Sequence, residues 1–217
     1  MTAPIASGRT ADIYAIGGGR VLRRYRQGGD VAREAQIMAY VRDGGFPVPE
    51  VFSAHGDEMA MARVDGPTMT DALLAGKLPS QEGGGTLAGL HNLLHRLPAP
   101  GGDEAVIHLV LHPGNVILGE DGPVVIDWRD AGEGPADLDL AMSALILGMV
   151  AVTGPVKIAH QATAVLDGFL PAAEGDPARM LDRAVAMRAV NPRLTEHEIA
   201  GLDGAAGLVR RRAGLTT

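Results

Sequence analysis

Residues 108–115 read His-Leu-Val-Leu-His-Pro-Gly-Asn, and twelve residues after Asn115 the chain has Asp127, within the segment Ile-Asp-Trp. Apolar runs surround this stretch, and the Asp121-Gly122 pair between them predicts a strand, a loop and then a hairpin that leads to Asp127. An amide oxygen and a carboxylate oxygen are hard donors of the kind that Mg²⁺ prefers. The spacing therefore predicts that Asn115 and Asp127 hold a magnesium ion.

Each residue of this stretch also has a simpler interpretation. Asp127 can cap the turn after a strand, and Asn115 can be an ordinary turn residue after Pro113-Gly114. The metal interpretation depends on the two residues occurring together at this spacing. His108 and His112 have the chemistry of catalytic groups or zinc ligands, but no acidic or histidine partner follows at a helical metal spacing. We therefore predict that both histidines orient the backbone.

The chain before this stretch begins with strands around one helix. A Gly17-Gly18-Gly19 turn separates two short apolar alternations, which is typical of a hairpin. The strong turn signal Asp65-Gly66-Pro67 predicts a crossover between two domains, residues 1–66 and residues 67–217. The predicted strands are Arg9–Ile16, Arg20–Arg26 and Glu58–Val64, and the predicted helix runs from Val31 to about Asp43 with Asp30 as its cap.

The remainder of the chain reads as mainly helical. Leucines at helical spacing from Leu87 predict a helix that faces the core, and the run from Leu138 predicts a buried helix. Thr195 and Glu198 form a capping box in front of the last helix. Further helices are predicted from Val156, after Asp176 with Pro177 in the first turn, and from Glu196.

Four polar residues in these helices need an interpretation. His91 and His95 are four residues apart, which is compatible with zinc, but the glutamate of the known zinc-binding helix motif is missing between them. We predict that one of the two histidines packs in the core and that the other is solvated. Asp137 and Asp139 are expected to cap the buried helix, and for Asp139 the alternative is that it braces the 108–115 loop.

Composition limits the class of protein. The chain has 217 residues, enough for one domain or two small lobes, and 46% of them are hydrophobic against 21% charged, as in soluble globular proteins. It has no cysteine, which excludes disulfides and thiolate metal sites and is consistent with the cytoplasm. The net charge of -7 disfavours a nucleic-acid partner and favours cationic ligands.

No membrane partner is expected either. No charged start leads into an apolar run near Met1. The most apolar stretch, residues 138–152, carries Asp139 and is shorter than the ~20 residues that a membrane span needs. Secretion and membrane insertion are therefore both disfavoured.

Taken together, the motifs resemble the aminoglycoside phosphotransferase and choline kinase-like family. The loop of that family reads roughly H-x-D-x-x-x-x-N, and its Ile-Asp-Trp/Phe segment stands where protein kinases have Asp-Phe-Gly. The resemblance extends over nearly the whole chain, through residues 7–10, 46–51, 61–66, 94–98 and 134–141. It implies an α+β, two-lobed protein kinase-like fold, with a small antiparallel sheet and one helix in the N-terminal lobe and a mainly helical C-terminal lobe.

The resemblance also implies roles for individual residues. Mg²⁺ together with ATP or GTP would be the cofactor and co-substrate, and the acceptor would be an unidentified small molecule with a hydroxyl group. Asn115 and Asp127 would be the metal ligands, and the position of Val110 would be catalytic. The residues implied in nucleotide binding are Ser7, Gly8, Arg9 and Thr10 over the phosphates, Arg23 with Glu34 behind it, and Ala62 and Val64 in the hinge segment.

Two departures from the family pattern affect the expected activity. Val110 stands where the family has its catalytic aspartate, and an isopropyl group cannot accept the proton of a substrate hydroxyl. The lysine that contacts the phosphates is also missing. Alternation puts Val21, Arg23 and Tyr25 on one face, and Arg23 is the better replacement because the family has an apolar residue two positions before its lysine. Arg24 is the second choice. Loss of the carboxylate predicts a rate reduced by ~10²- to 10⁴-fold.

The sequence therefore leaves several functions open. A slow small-molecule phosphotransferase agrees with Asn115 and Asp127, whereas a pseudokinase that binds nucleotide or another protein agrees with Val110 and Arg23. A sequencing difference at Val110 in an otherwise active enzyme, and an unrelated α+β scaffold with fortuitous motifs, are the remaining alternatives. The acceptor cannot be read from the acidic residues after Gly154, because no spacing rule places them at a binding surface.

Overall fold

The structure is a computed structural model that describes residues 3–28 and 31–214. These residues form two compact units, one up to Gly66 together with Ile117–Ala131 and the other made of Pro67–Val116 and the residues from Gly132 onward. The break at residues 66 and 67 falls where the sequence places a turn, but the segment 117–131 belongs to the first unit and not to the second. The predicted cap Asp30 lies outside the described residues.

The first unit contains a five-stranded antiparallel sheet with the strand order β1-β2-β3-β5-β4. One helix, α1 (Val31–Asp43), follows β3 and has the predicted bounds. The strands are β1 (Ala6–Ser7), β2 (Ala11–Gly17), β3 (Arg20–Tyr25), β4 (Val51–His55) and β5 (Glu58–Ala62). Of these, β1 and β4 were not predicted, because their residues do not alternate between apolar and polar.

Alternation along β3 gives the sheet its buried face. Val21, Arg23 and Tyr25 are buried on one side, as the sequence predicts, and Arg23 pairs with Met59 across β5. The buried stripe of α1, which includes Met38 and Val41, supplies apolar side chains to the core of this unit. Arg23 is therefore one of the few charged residues inside an otherwise apolar layer.

A hairpin continues this unit after the second unit has interrupted it. Strand β7 (Val116–Gly119) pairs with β8 (Gly122–Val125), and the backbone N–H of Val125 donates to the carbonyl of Pro47 at 2.9 Å. Gly66 has φ 149°, and a Cβ at that position would lie 2.2 Å from the carbonyl oxygen of Leu118. The close approach explains why glycine occupies the predicted turn.

The second unit is mainly helical. Its two short strands, β6 (Ala105–Ile107) and β9 (Gly132–Gly134), pair antiparallel with each other. The predicted helix after Asp176 begins as a short 3₁₀ turn at Pro177–Met180. The helices are α2 (Met69–Leu74), α3 (Ser80–His95), α4 (Ala136–Thr153), α5 (Val156–Phe169), α6 (Leu181–Ala189), α7 (Glu196–Ala200) and α8 (Leu202–Arg212).

Helix α4 forms the core of the second unit. It has the length and apolarity of a membrane span, but 61% of it is buried within the fold, as in the core helix of a soluble protein. The neighbouring pair α3 and α5 pack closely, since a Cβ at Gly84 would lie 2.2 Å from the carbonyl oxygen of Val165. Backbones in such contact hold α3, and the side chains it carries, firmly in place.

The predicted class is confirmed by this architecture. The described residues form a mixed α+β structure with an antiparallel sheet and one helix in the first unit and a mainly helical second unit. The capping box of Thr195 and Glu198 is also present, with both side chains bonded to the opposite backbone N–H.

Candidate functional site

Arg23 joins two carboxylates in the first unit. Its Nη1 donates to Oε1 of Glu34 at 2.6 Å, and its Nη2 donates to Oδ1 of Asp127. Glu34 comes from α1 and Asp127 from the segment after β8, so one guanidinium connects three parts of the unit. The expected pairing of Arg23 with Glu34 is confirmed. We refer to these residues together with Tyr25 as the Arg23 cluster.

Glu34 has a full set of hydrogen-bond donors. Besides Arg23, its Oε1 accepts the backbone N–H of Trp128 at 3.1 Å, and its Oε2 accepts the hydroxyl of Tyr25. Burial nevertheless raises the pKa of Glu34, because the loss of hydration outweighs the attraction of Arg23. Burial by itself would lower the pKa of Arg23, but attraction by Asp127 and Glu34 raises it. The guanidinium therefore stays charged in the interior.

Tyr25 was not singled out by the sequence. Its ring lies between the guanidinium groups of Arg23 and Arg129, each 4.7 Å from the ring centroid. Burial raises the pKa of its hydroxyl above the ordinary value, with a further contribution from Glu34. The phenol is therefore neutral and can donate its proton to Glu34. Alternation on β3 is the signal that could have identified it.

The second-choice residue, Arg24, points to the opposite face of β3. Its Nε donates to Oε1 of Glu58 at 2.6 Å, and both side chains are about one-third exposed. It therefore belongs to a surface ion pair.

Asp127 lies in an unusual backbone conformation. Its φ is 67°, in the left-handed region that aspartate tolerates better than most residues. The next residue, Trp128, is buried, packs edge-to-face on Phe46 and donates its indole N–H to the carbonyl of Val125 at 3.0 Å. The side chain of Asp127 stays 38% exposed. The tryptophan thus fixes the segment while the carboxylate faces solvent.

Residues 8–10 form the turn between β1, which ends at Ser7, and β2. The backbone N–H of Gly8 donates to the carbonyl of Ala11 at 2.9 Å, which closes the turn. Arg26, which the sequence analysis missed, donates to the carbonyl of Gly8 at 2.7 Å and binds Asp12 at 2.9 Å. Hydrogen bonds from Arg26 and Ser7 lower the pKa of Asp12 to about 2. The turn that carries Ser7, Gly8, Arg9 and Thr10 is thus braced from β3.

The hinge candidates lie where β5 ends. The N–H of Ala62 donates to the carbonyl of Glu50 at 2.8 Å, which continues the sheet. Val64 follows the last strand residue, and its side chain lies near Gly119 of the hairpin. Both residues belong to the first unit, as do Arg23, Glu34 and Asp127.

The remaining site residues, Val110 and Asn115, belong to the second unit. Asn115 donates its Nδ2 to the carbonyl of Val110 at 2.9 Å, which leaves the side-chain oxygen to serve as a ligand. Nδ1 of His112 accepts the N–H of Gly114 at 3.1 Å, and Nδ1 of His108 lies 3.4 Å from the N–H of Val110. The predicted structural role of both histidines is confirmed.

Asp139 holds the start of this loop. Its Oδ2 accepts the N–H of His108 at 3.0 Å, and its Oδ1 accepts the N–H of Leu109 at 2.6 Å. Leu109 has φ 66°, a strained conformation for leucine that persists only where the surroundings impose it. Of the two roles considered for Asp139, bracing the loop is the correct one. Helix α4 instead has Pro135 at its N-cap position and no side-chain cap.

Two histidines of α3 surround the same carboxylate. His95 Nε2 lies 3.0 Å and His91 Nδ1 lies 3.3 Å from Oδ2 of Asp139. Both are enclosed, so the prediction that one histidine is solvated was wrong. Nε2 of His91 contacts Ser143 Oγ at 2.8 Å, and that hydroxyl donates to the carbonyl of Leu111 at 2.6 Å. We call His91, His95, Asp139 and Ser143 the Asp139 cluster.

The chain matches a known protein family. A family model described as the phosphotransferase enzyme family matches residues 2–100 and again residues 69–181. No curated protein sequence matches the chain.

Solved structures resemble the chain over almost its full length. A choline/ethanolamine kinase family protein from Mesorhizobium loti is 16% identical with a TM-score of 0.57, and the match covers 95% of this chain and 86% of that chain. The gentamicin–APH(2'')-IIa complex is 11% identical with a TM-score of 0.59, covering 99% and 93%. An amicoumacin kinase in complex with AMP-PNP and Ca²⁺ is 14% identical with a TM-score of 0.54, covering 99% and 89%.

At these identities the structural matches establish the fold alone. They confirm the kinase-like α+β fold, and the family match confirms the resemblance that the motifs indicated. The roles of individual residues are not addressed by either comparison and stay predictions.

Proposed function

The chain belongs to the phosphotransferase enzyme family, and on that premise we propose that it binds ATP or GTP with Mg²⁺ and transfers the γ-phosphoryl group slowly to a small-molecule hydroxyl. The observation that carries this proposal is the Arg23 cluster. A buried guanidinium bonded to Glu34 and to the half-exposed Asp127 provides a fixed positive charge beside a solvent-facing carboxylate. Phosphoryl transfer depends mostly on positioning and charge neutralisation, and this cluster would contribute to both.

The donor set of the two candidate metal ligands fits Mg²⁺. Asn115 offers an amide oxygen because its Nδ2 is committed to the carbonyl of Val110, and Asp127 offers an exposed carboxylate. Both are hard oxygen donors, and neither a thiol nor an imidazole is involved. When bound, the metal would neutralise charge on the phosphate groups of the nucleotide.

The chain's own residues would bind and orient the nucleotide. Arg23 would steady the phosphates with its positive charge while Glu34 holds it in place. The braced turn at residues 7–10 would cover the phosphates with backbone N–H groups. Ala62 and Val64 would lie beside the base.

Val110 limits what these residues can do. A valine side chain cannot take up the proton that a substrate hydroxyl releases, so that proton would have to pass directly to water or to the phosphate. The family's rate advantage from a carboxylate, ~10²- to 10⁴-fold, is lost. The acceptor would be a cationic small molecule if the net charge of -7 contributes to its attraction.

A second candidate function follows from Val110 itself. A protein that keeps the Arg23 cluster but lacks the carboxylate suits a pseudokinase, in which nucleotide binding changes the surface offered to another protein. Both functions require nucleotide binding and differ only in whether a phosphoryl group is transferred.

Calorimetry with ATP and GTP, with and without Mg²⁺, tests the shared part of the proposal. We expect metal-dependent binding in the wild-type protein and loss of the metal-dependent part in Asp127→Asn. Asp121→Asn, in the exposed turn of the hairpin, is the matched control and should bind like the wild type. Equal binding by wild type and Asp127→Asn would reject Asp127 as the metal ligand.

Restoring the carboxylate separates the two candidates. We expect Val110→Asp to raise nucleotide-dependent phosphoryl transfer or hydrolysis by ~10²-fold or more if the loop keeps a catalytic geometry. Val110→Asn has a similar shape without a basic oxygen pair and should show no such increase. A Val110→Asp protein that binds nucleotide but gains no rate would favour the pseudokinase.

A further inference from the structure

Two imidazole rings and one carboxylate meet in the interior of the second unit. A nitrogen of His91, a nitrogen of His95 and an oxygen of Asp139 lie within 4.8 Å of one another. The side chains of His91 and Asp139 are 0% exposed, and that of His95 is 8% exposed. Imidazole nitrogens and a carboxylate oxygen together are a ligand set of zinc, and imidazole suits transition ions better than Mg²⁺. The Asp139 cluster therefore has the composition of a metal site of a different kind from Asn115 and Asp127.

Hydrogen bonds leave part of this cluster unsatisfied. A carboxylate offers about four lone-pair positions, two on each oxygen. On Oδ2 of Asp139, one position can accept the backbone N–H of His108 and the other can accept Nε2–H of His95, at 3.0 Å in each case. Nδ1 of His91 lies 3.3 Å from the same oxygen, yet it is buried without a hydrogen-bond partner. One lone pair of Asp139 thus faces two ring nitrogens, and a hydrogen bond can satisfy only one of them.

A shared metal ion would satisfy both rings at once. At zinc-to-ligand distances of about 2.0–2.2 Å and a tetrahedral angle, neighbouring ligand atoms lie about 3.3–3.5 Å apart. The separations of 3.0 Å and 3.3 Å between Oδ2 of Asp139 and the two ring nitrogens are close to that length. On coordination, the proton on Nε2 of His95 would move to Nδ1 of the same ring, which is also buried without a partner. One buried N–H without an acceptor costs less than three metal–ligand bonds contribute.

Ser143 supplies the outer support that a metal-bound histidine usually has. A histidine that binds metal through one nitrogen typically donates its other N–H to a nearby acceptor. Nε2 of His91 lies 2.8 Å from Oγ of Ser143, whose own proton goes to the carbonyl of Leu111 at 2.6 Å. The hydroxyl oxygen therefore accepts from Nε2, and Nδ1 is left facing Asp139. Coordination of a metal through Nδ1 requires this tautomer of His91.

We propose that His91, His95 and Asp139 together bind a Zn²⁺ ion. Because the three side chains are enclosed, the role of the ion would be structural. It would join α3, which carries both histidines, to α4, which carries Asp139 and the supporting Ser143. Asp139 also accepts two backbone N–H groups at the start of the 108–111 loop, so the ion would stabilise that loop as well. This site goes beyond the proposed function and needs no bound nucleotide.

Refolding with and without zinc tests whether the site exists. The protein is unfolded in urea with a chelator and refolded either with one equivalent of Zn²⁺ or with the chelator alone, because an enclosed site fills while the chain folds. We expect one Zn²⁺ per chain to remain after gel filtration. The midpoint of urea unfolding should be higher than that of the metal-free protein by roughly 1 M. A wild-type protein that retains no Zn²⁺ would overturn the proposal.

Matched histidine variants separate this site from zinc held at the surface. His95→Gln removes one ligand and keeps a polar side chain, so we expect it to retain less than about a tenth of the zinc that the wild type retains. His160→Gln removes an exposed histidine of α5 and should retain zinc like the wild type. Equal retention by the wild type and His95→Gln, or loss of zinc in His160→Gln, would assign the ion to the surface and overturn the proposal.

Cobalt in place of zinc gives a spectroscopic test that stands even if His95→Gln fails to fold. Co²⁺ in a four-coordinate site absorbs visible light more strongly than Co²⁺ in water, so we expect new bands in the wild-type protein refolded with Co²⁺. Ser143→Ala should bind Co²⁺ about tenfold to a hundredfold more weakly, because His91 loses its outer partner. Thr163→Ala removes a similar hydroxyl-to-carbonyl bond within α5 and should bind like the wild type. A wild-type spectrum equal to that of free Co²⁺, or equal affinities in Ser143→Ala and Thr163→Ala, would contradict the proposed site.

Discussion

The Arg23 cluster and the Asp139 cluster each place a carboxylate in the interior of its own unit, but with different partners. Glu34 is paired with a guanidinium, which stays charged at any ordinary pH, and Asp139 is paired with imidazoles. The first cluster reaches solvent through Asp127, whose side chain is 38% exposed, whereas Asp139 is 0% exposed. The carboxyl pKa is raised at Glu34 and lowered at Asp139.

This difference separates binding from bracing. A cluster that reaches solvent can exchange one of its contacts for a ligand, as Asp127 would exchange Arg23 for a metal. The enclosed Asp139 cluster cannot exchange partners unless the core opens, so it is suited to fixing a loop. The variants below test whether the two clusters differ in this way.

Removal of the buried Asp139 carboxylate should have the largest effect on the free energy of unfolding. Asp139→Ala leaves two loop N–H groups and His95 without their acceptor, and each buried group left unsatisfied costs about 1–3 kcal/mol. Urea unfolding measures the change in the free energy of unfolding. Asp182→Ala, whose carboxylate is 90% exposed, is the control and should lose about 0–1 kcal/mol. Similar losses in both variants would mean that the Asp139 cluster stabilises nothing.

Removal of the Glu34 carboxylate from the Arg23 cluster should lower the free energy of unfolding by less. Glu34→Ala leaves the Tyr25 hydroxyl and the Trp128 N–H unsatisfied, but Arg23 keeps Asp127 as a partner. We expect a loss of about 2–4 kcal/mol in urea unfolding. The control, Glu58→Ala, removes the surface partner of Arg24 and should lose at most about 1 kcal/mol. If Glu34→Ala lost more stability than Asp139→Ala, the Arg23 cluster would be the more important of the two for the fold.

The two carboxylates should also respond to pH with opposite sign. The lowered pKa of Asp139 stabilises the fold above its unfolded value of about 3.9, and this contribution is lost as pH falls through the folded value. The raised pKa of Glu34 gives a contribution that is present below about 4.3 and is lost as pH rises through the folded value.

Urea unfolding from pH 3 to pH 7 makes this visible. The stability deficit of Asp139→Asn relative to wild type should narrow only below about pH 4. The deficit of Glu34→Gln should instead narrow as pH rises above about 4.3. Deficits that change in the same direction would show that the environments of the two carboxylates are alike.

The fold followed from local patterns that survive in a single sequence. Alternation gave the buried face of β3, and the predicted bounds of α1 agree with the structure because its apolar stripe is regular. β4 was missed because its residues are held by pairing with β5 and not by their own alternation. The grouping of 117–131 with the first unit was also missed, since contacts such as Val125 with Pro47 join residues far apart in sequence.

Only part of the candidate site was predicted from the sequence. Arg23 and Glu34 could be named because the family resemblance assigns a role to each position, but the additional bond from Arg23 to Asp127 connects residues 104 apart in sequence. The Asp139 cluster combines α3, α4 and a loop, so the helical spacing of His91 and His95 alone suggested zinc or solvation. A serine and an aspartate within the apolar run of α4 were the available signal, because buried polar groups need partners.

The smallest expected effect is the change in nucleotide affinity when the contact between Arg23 and Asp127 is weakened. Arg23→Lys replaces a fork that reaches both Glu34 and Asp127 with one ammonium that can favour only one of them. If Asp127 is then released, Mg²⁺–ATP should bind about threefold to tenfold more tightly in calorimetry. Arg24→Lys, which alters the surface pair with Glu58, is the control and should bind like the wild type.

Any other result for Arg23→Lys would also define the role of the Arg23 cluster. Weaker binding by Arg23→Lys would mean that the guanidinium fork binds phosphate oxygens directly, and that this contribution exceeds any restraint on Asp127. Unchanged binding would mean that Asp127 exchanges no contact when nucleotide binds. The contacts of the Arg23 cluster would then be as fixed as those of the Asp139 cluster. Tighter binding, with Asp127→Asn still unable to respond to Mg²⁺, is the result that the difference in exposure between Asp127 and Asp139 requires.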